Sequence, residues 1–154
     1  MVNWPMPKIL KSLMGFLGLM GYYRRFIKKY GWISKPLTTL LKKNTFSWGS
    51  ESTIAFQKLK DAMNTTPVLS LADFTKSFIV ETDACAKGIG AVLMQDGRPI
   101  TYFSKTIAPK NWGLSTYEKE YLAVLSAVDR WRHYLMVGHF IIRTDHHSLK
   151  YLLE

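Results

Sequence analysis

Four acidic side chains stand where chemistry can be built: Asp83, the close pair Glu118 and Glu120, and Asp145. Singly, each has an ordinary reading. Asp83 can be a turn former at a strand end, Glu120 a solvated helix residue, and Asp145 a helix cap before His147. Held together they would be something else. Convergent carboxylates repel one another unless a cation neutralises them, and such clusters are sites for hard metals that take oxygen ligands. His139, His146 and His147 have no cysteine cluster at metal-ligand spacing and read as structural or surface residues.

Whether the carboxylates converge depends on the elements that carry them. Ser77 to Thr82 reads as a strand ending near Asp83, and Gly88 to Gln95 as a second strand. Asp96-Gly97 between apolar runs is a hairpin signal, because both central positions of that turn need positive φ. Ile100 to Ser104 is the third strand. Asn111 to Ser115 leads into a long helix with Tyr121, Leu122, Leu125, Val128, Trp131 and Leu135 on its apolar stripe. His139 to Thr144 is a fourth strand, and His147 to Leu153 begins another helix. With a right-handed crossover, strand four lies parallel to strand one, and Asp83 and Asp145 emerge at the same end. The long helix starts near that end and offers Glu118 and Glu120.

The front of the chain is built differently. Pro5 and Pro7 suit a helix start, and Leu10, Leu13, Phe16, Leu17, Met20, Tyr23, Ile27 and Tyr30 recur at helical steps. A second helix is expected over Pro36 to Lys43 and a third from Ser50, with Ala55, Phe56, Leu59, Ala62 and Met63 on one face, ended by Thr65-Thr66-Pro67. Three helices are therefore expected in the first 65 residues.

Charge separates the two parts as well. Of the chain's net +10, Met1 to Pro67 holds eleven basic residues against Glu51 and Asp61, a surplus of nine. The remainder holds ten basic against nine acidic, a surplus of one. The front part thus has the footprint of a surface that meets a polyanion, with Lys11, Arg24, Arg25, Lys28, Lys29, Lys42 and Lys43 as the expected nucleic-acid contacts. The aromatics among them, Tyr22, Tyr23, Phe26 and Trp32, read chiefly as core. At 154 residues the chain suits one domain or two small ones, no window of 18 residues is uninterruptedly apolar, and the single Cys85 forms no internal disulfide.

Two sets of motifs carry a family resemblance. Gly15-Phe16-Leu17-Gly18, Gly21-Tyr22-Tyr23-Arg24-Arg25-Phe26, Pro36-Leu37, Leu40-Leu41-Lys42-Lys43, Phe46, Trp48 and Ala55-Phe56 resemble the segment after the palm in Ty3/gypsy-type reverse transcriptases. Thr82-Asp83-Ala84 with Gly88 to Leu93, Tyr117 to Glu120 with Leu122-Ala123-Val124, and Arg143-Thr144-Asp145-His146 with Ser148-Leu149-Lys150 resemble the ribonuclease H motifs of the same polyproteins.

The resemblance implies an α+β chain: a small helical thumb-like unit (1–66), a linker (67–76), and a partial ribonuclease H-like mixed sheet with helices (77–154). It implies Asp83, Glu120 and Asp145 as catalytic residues binding Mg²⁺ or Mn²⁺, with Glu120 aligned in preference to Glu118. The reaction implied is hydrolysis of the RNA strand in RNA/DNA hybrids, in which two ions about 4 Å apart activate water and stabilise the leaving oxygen. The polymerase palm lies outside this stretch. Cys85 replaces the usual serine two places after the first aspartate. Because the sequence stops at Glu154, the family's fifth strand and fourth aspartate fall beyond it, and weak or absent turnover is expected of this chain alone. The alternative is a domesticated, non-catalytic protein acting through a partner. The edge of strand 139–144 is then expected to pair with a second copy, giving a homodimer, or with a heterologous protein. The family implies nucleus or cytoplasm, and the acid-free basic start leaves a mitochondrial address as the alternative.

Overall fold

The computed structural model describes residues 3–42, 46–65, 69–86 and 88–144. The chain divides into two compact units, Met1–Pro67 and Val68–Glu154. No helix among the described residues is long and apolar enough to cross a membrane.

In the first unit, α1 (Leu10–Tyr22) buries Leu13, Phe16, Leu17 and Met20, as its three-and-four spacing selects, but Leu10, expected on the same stripe, is exposed at the helix start. The expected stripe through Ile27 and Tyr30 is buried too, but one continuous helix does not carry it. A 3-10 turn at Arg24–Phe26 follows α1, and Lys29 then enters α2 (Tyr30–Ile33) with φ at 58°. A left-handed lysine costs about 1 kcal/mol, a cost accepted here because the reversal swings Ile27 and Tyr30 onto the core that α1 began. Helix α3 (Lys35–Thr39) is shorter than the expected Pro36 to Lys43, whose last residue lies outside the described residues. Pro36 stands in its first turn, where a missing N–H costs nothing. Helix α4 (Ser50–Thr65) closes the unit. Among the described residues, four α-helices and a 3-10 turn therefore stand where three helices were expected. Their shared core centres on Phe16 against Phe56, with ring centroids 4.6 Å apart, and Trp4 and Trp48 close its flanks.

The second unit is a four-stranded sheet in the order β3-β2-β1-β4, with β1 (Phe78–Cys85), β2 (Gly88–Gln95), β3 (Arg98–Thr106) and β4 (Phe140–Thr144). The first three form an antiparallel meander, and β4 lies parallel to β1 from Phe78↔Phe140 to Thr82↔Thr144. The α+β class and this strand order are those the sequence implies. Strand β1 runs on to Cys85, so Asp83 sits inside a strand paired with Gly90, not at a strand end. Helices α5 (Thr116–Arg130) and α6 (Arg132–Leu135) make the crossover. The face turned to the sheet is Glu120, Ala123, Ala127, Trp131 and Leu135. Tyr121 and Leu125, expected on the buried stripe, are exposed. The face is chosen by size: alanines let the helix approach Val80, Ala91 and Leu93 closely, and larger side chains would hold it off.

The segment before β1 is fastened to the opposite end of the sheet. Buried Gln95 accepts the Asp73 N–H at 2.9 Å and donates to the carbonyls of Asp73 and Lys76 at 2.8 and 3.1 Å. Lys76 also pairs with Asp96 at 2.7 Å. Beside it, the hairpin turn holds Asp96 at φ 50° and Gly97 at φ 73°. Open space surrounds the position a Cβ of residue 97 would take, so only backbone strain opposes a side chain there. Gly97→Ala is expected to lower unfolding stability by about 1 kcal/mol, read as a shifted denaturant midpoint at unchanged slope.

Candidate functional site

The end of the sheet at which Asp83 lies is organised by helix α5. Its start is fixed by a capping box: the Ser115 hydroxyl accepts the Glu118 N–H at 3.2 Å, and Glu118 Oε2 accepts the Ser115 N–H at 2.7 Å and its hydroxyl at 2.8 Å. With the helix so placed, Glu120 falls on the inner face, only 6% exposed. Its Oε1 accepts the Ala84 N–H at 3.1 Å. The bond ties the carboxylate to the backbone one residue after Asp83, whose own side chain is exposed.

The two glutamates two residues apart are therefore separated by role. Glu118 is a cap, and its acceptance of the Ser115 backbone and side-chain hydrogen bonds holds its carboxyl below the usual range, with Lys119 adding to the effect. Glu120 is the one that reaches the strand. Helical geometry alone explains why spacing cannot choose between them, since positions i and i+2 point to different faces and either face might have been inward.

The third carboxylate, Asp145, lies outside the described residues, as do His146 and His147. Strand β4 is described as far as Thr144, in register with Thr82. Among the described residues, no three histidine, cysteine, aspartate or glutamate side chains gather as a metal-binding group. The donors that are described, Asp83 and Glu120, are both carboxylate oxygens, which suits a hard divalent cation and not a soft one. Cys85 is exposed at the end of β1.

In the first unit, Lys11, Arg24, Arg25, Lys28, Lys29 and Lys42 are all exposed, while Lys43 lies outside the described residues. Several of these cations are seated on aromatic rings. The Arg25 guanidinium is 4.8 Å from the Phe26 centroid, Lys29 Nζ 4.8 Å from that of Trp32, and the Arg24 guanidinium 5.8 Å from that of Tyr30. Burial raises the Tyr30 hydroxyl pKa, with Arg24 opposing. Reading these aromatics chiefly as core misses this arrangement. The signal for it was the interleaving of basic and aromatic residues from Tyr22 to Trp32.

Comparison with known proteins places the chain among relatives of one kind. Residues 48–142 match the family described as RNase H-like domain found in reverse transcriptase. The chain is 43% identical over 153 residues to the retrovirus-related Pol polyprotein from transposon 297 of Drosophila melanogaster, which covers 98% of this chain and 14% of the polyprotein. It is 37% identical over 156 residues to the transposon Tf2-3 polyprotein of Schizosaccharomyces pombe, covering 96% of this chain and 12% of that one. The chain thus spans only a small part of the curated relatives it matches. Among solved structures, the foamy viral protease-reverse transcriptase in complex with RNA/DNA hybrid superposes with a TM-score of 0.85 at 23% identity, over 97% of this chain and 21% of its own. The same protein with dsDNA gives 0.85 at 24%, over 98% and 33%. At these identities the structural likeness is one of fold.

The capping role of Glu118 has a pH signature. A carboxyl with its folded pKa depressed stabilises the fold above its unfolded value of about 4.3, and the contribution is lost as pH falls through the folded value. Glu118→Gln is therefore expected to lower the thermal midpoint at neutral pH, and the difference from the parent should vanish in acid, as followed by circular dichroism melts across the pH range.

Proposed function

Since the chain belongs to the family of RNase H-like domains found in reverse transcriptase, and is similar along nearly its whole length to Ty3/gypsy-type Pol polyproteins, we propose that it is the nucleic-acid-holding and RNA-cutting part of such a polyprotein. The reaction is hydrolysis of the RNA strand of an RNA/DNA hybrid. The observation that carries this reading is the pairing of an exposed Asp83 with a buried Glu120 bonded to the next residue's backbone. A carboxylate kept in the protein interior at one end of a sheet is poorly explained by solubility or by capping.

Asp83, Glu120 and Asp145 would hold Mg²⁺ or Mn²⁺. When bound, the metal supplies charge neutralisation and activation of water at the phosphodiester. The chain's own groups do the positioning. The Ala84 N–H orients Glu120, the capping box holds the helix that presents it, and pairing with Gly90 holds the strand that presents Asp83. Lys11, Arg24, Arg25, Lys28, Lys29, Lys42 and Lys43 would contact phosphates without reading bases. Aromatic seating limits the rotamers of Arg24, Arg25 and Lys29, so less entropy is lost when a phosphate binds. That the foamy viral neighbours were solved with RNA/DNA hybrid and with dsDNA supports a duplex as the ligand.

A second reading is favoured by β4. Among the described residues β1 is the only strand beside it, and Ile141 is 52% exposed. Arg143 is turned to Glu81 across the β1 pairing at 3.1 Å. Such a strand can accept another from a second copy or from a different protein, which suits a non-catalytic interaction role. Light scattering distinguishes the cases: a dimer dispersed by Ile142→Lys supports strand pairing, and a monomer at all concentrations excludes self-pairing.

Two measurements test the nuclease reading. Hybrid binding should weaken steeply with salt, by about 0.9 in the slope of log K against log salt for each phosphate contacted on a B-form duplex, and Arg24→Gln with Arg25→Gln should flatten that slope. Cleavage of a hybrid in Mg²⁺ should disappear in Asp83→Asn and in Glu120→Gln but persist in Glu118→Gln at temperatures where all variants are folded. Cleavage that survives Asp83→Asn would refute the assignment.

A further inference from the structure

Helix α4 turns one face to the core of the first unit and leaves another exposed. Ala55, Phe56 and Leu59 are buried, whereas Glu51 and Lys58 are exposed, and Ile54 between them is 55% exposed. Positions 51, 54, 55 and 58 form one stripe along the helix, with the two charged residues about 10.5 Å apart along its axis. Facing that stripe stand Trp32 and Ile33 of α2 and Pro36 of α3, and between the two walls lies a hollow of about 460 Å³. Only Glu51 and Lys58 bring charge to its lining.

Neither charge is used within the unit: among the described residues Glu51 and Lys58 belong to no ion pair. The stripe they bound is self-complementary. When a second copy of α4 lies antiparallel, about a two-fold axis passing between positions 54 and 55, Glu51 meets the partner's Lys58 at one end and Lys58 meets the partner's Glu51 at the other, while Ile54 faces the partner's Ala55. The small alanine leaves the hollow open to receive that isoleucine, whose apolar surface is otherwise held in water. Displaced registers set Lys58 against Lys58 or Glu51 against Glu51, so the charges select this one. A ligand of a single charge sign is drawn by one of the two residues and repelled by the other, whereas a second copy satisfies both.

We propose that this face of α4 is a homodimer interface: two copies of the chain pair their α4 helices antiparallel, each Ile54 entering the other's hollow over Ala55, with a Glu51 to Lys58 ion pair at either end. The interface is separate from strand pairing at β4 and does not depend on the nuclease reading. The unit's surplus of cations opposes the approach of two copies. At physiological ionic strength, where the screening length is about 8 Å, that long-range repulsion is weakened more than the attraction of partly buried pairs in contact.

Sedimentation velocity of the whole chain, freed of nucleic acid and studied over a range of concentrations at that ionic strength, tests the proposal. The parent should show a concentration-dependent dimer. Glu51→Lys and Lys58→Glu should each weaken dimerisation about tenfold, because either change sets like charges against each other at both ends of the interface. An equimolar mixture of the two variants should associate again, since every facing pair is then opposite in sign. Recovery in the mixture also shows that neither variant failed for want of folding. A parent that stays monomeric at every concentration, a dimer indifferent to both reversals, or a mixture no tighter than either variant alone would overturn the proposal. A dimer lost in Ile142→Lys and kept in Glu51→Lys belongs to β4 and would overturn it as well.

Discussion

The approach of α5 to the sheet is the constraint from which the rest of the second unit follows. Ala123 and Ala127 are 1% and 0% exposed, and their small side chains bring the helix close to the strands. Only at that separation does Glu120, one turn before Ala123, reach the backbone of β1. Burying a carboxyl group is costly unless its oxygens find partners, so drift of the helix from the sheet would cost Glu120 its hydrogen bond from the Ala84 N–H. Packing and site geometry are one requirement here: a larger residue at 123 would lift the glutamate from the strand as surely as it would disturb the core. The capping box works on the same helix from its other side, since it fixes where the first turn begins and hence which of two neighbouring glutamates faces in.

The first unit solves a different problem. It must bury Phe16, Met20, Ile27, Leu37, Phe56 and Leu59 while keeping a dense set of like charges in water. The helix breaks after Tyr22, and a 3-10 turn and the left-handed Lys29 carry the chain into α2 with Arg24, Arg25, Lys28 and Lys29 all exposed. The left-handed Lys29 turns the chain so that Ile27 and Tyr30 enter the core, and the aromatic rings beneath Arg24, Arg25 and Lys29 give the cations a surface to lie on.

How far the sequence disclosed this differs from element to element for physical reasons. The hairpin at Asp96-Gly97 was readable because positive φ at two successive positions restricts residue choice so strongly. The strand order followed from a chirality rule that needs no detail of side chains. The buried face of α5 was misread at Tyr121 and Leu125 because hydropathy counts large apolar residues, whereas a helix pressed on a sheet selects small ones. The break after Tyr22 was hidden because Leu13, Met20, Ile27 and Tyr30 keep helical spacing in the sequence although two separate elements deliver them. For the candidate site, the family resemblance pointed to Asp83 and Glu120, with Asp145 outside the described residues. It gave no hint of the Ala84 hydrogen bond, since that depends on how closely two elements distant in sequence approach.

The Gln95 clip bears on how the second unit would respond to force. A pull on the chain ahead of β1 would load the Ser70 N–H to Pro99 carbonyl bond, then the bonds from Gln95 to Asp73 and Lys76 together with the Lys76 to Asp96 ion pair, all gathered beside the hairpin tip. Five residue steps of β2, about 17 Å of strand, separate Gln95 from Gly90, the partner of Asp83. Tension would thus be taken up at one end of the sheet while the carboxylates sit towards the other. The clip is thus a strain relief: load on the preceding chain would reach it before it reached the hydrogen bond between Glu120 and Ala84.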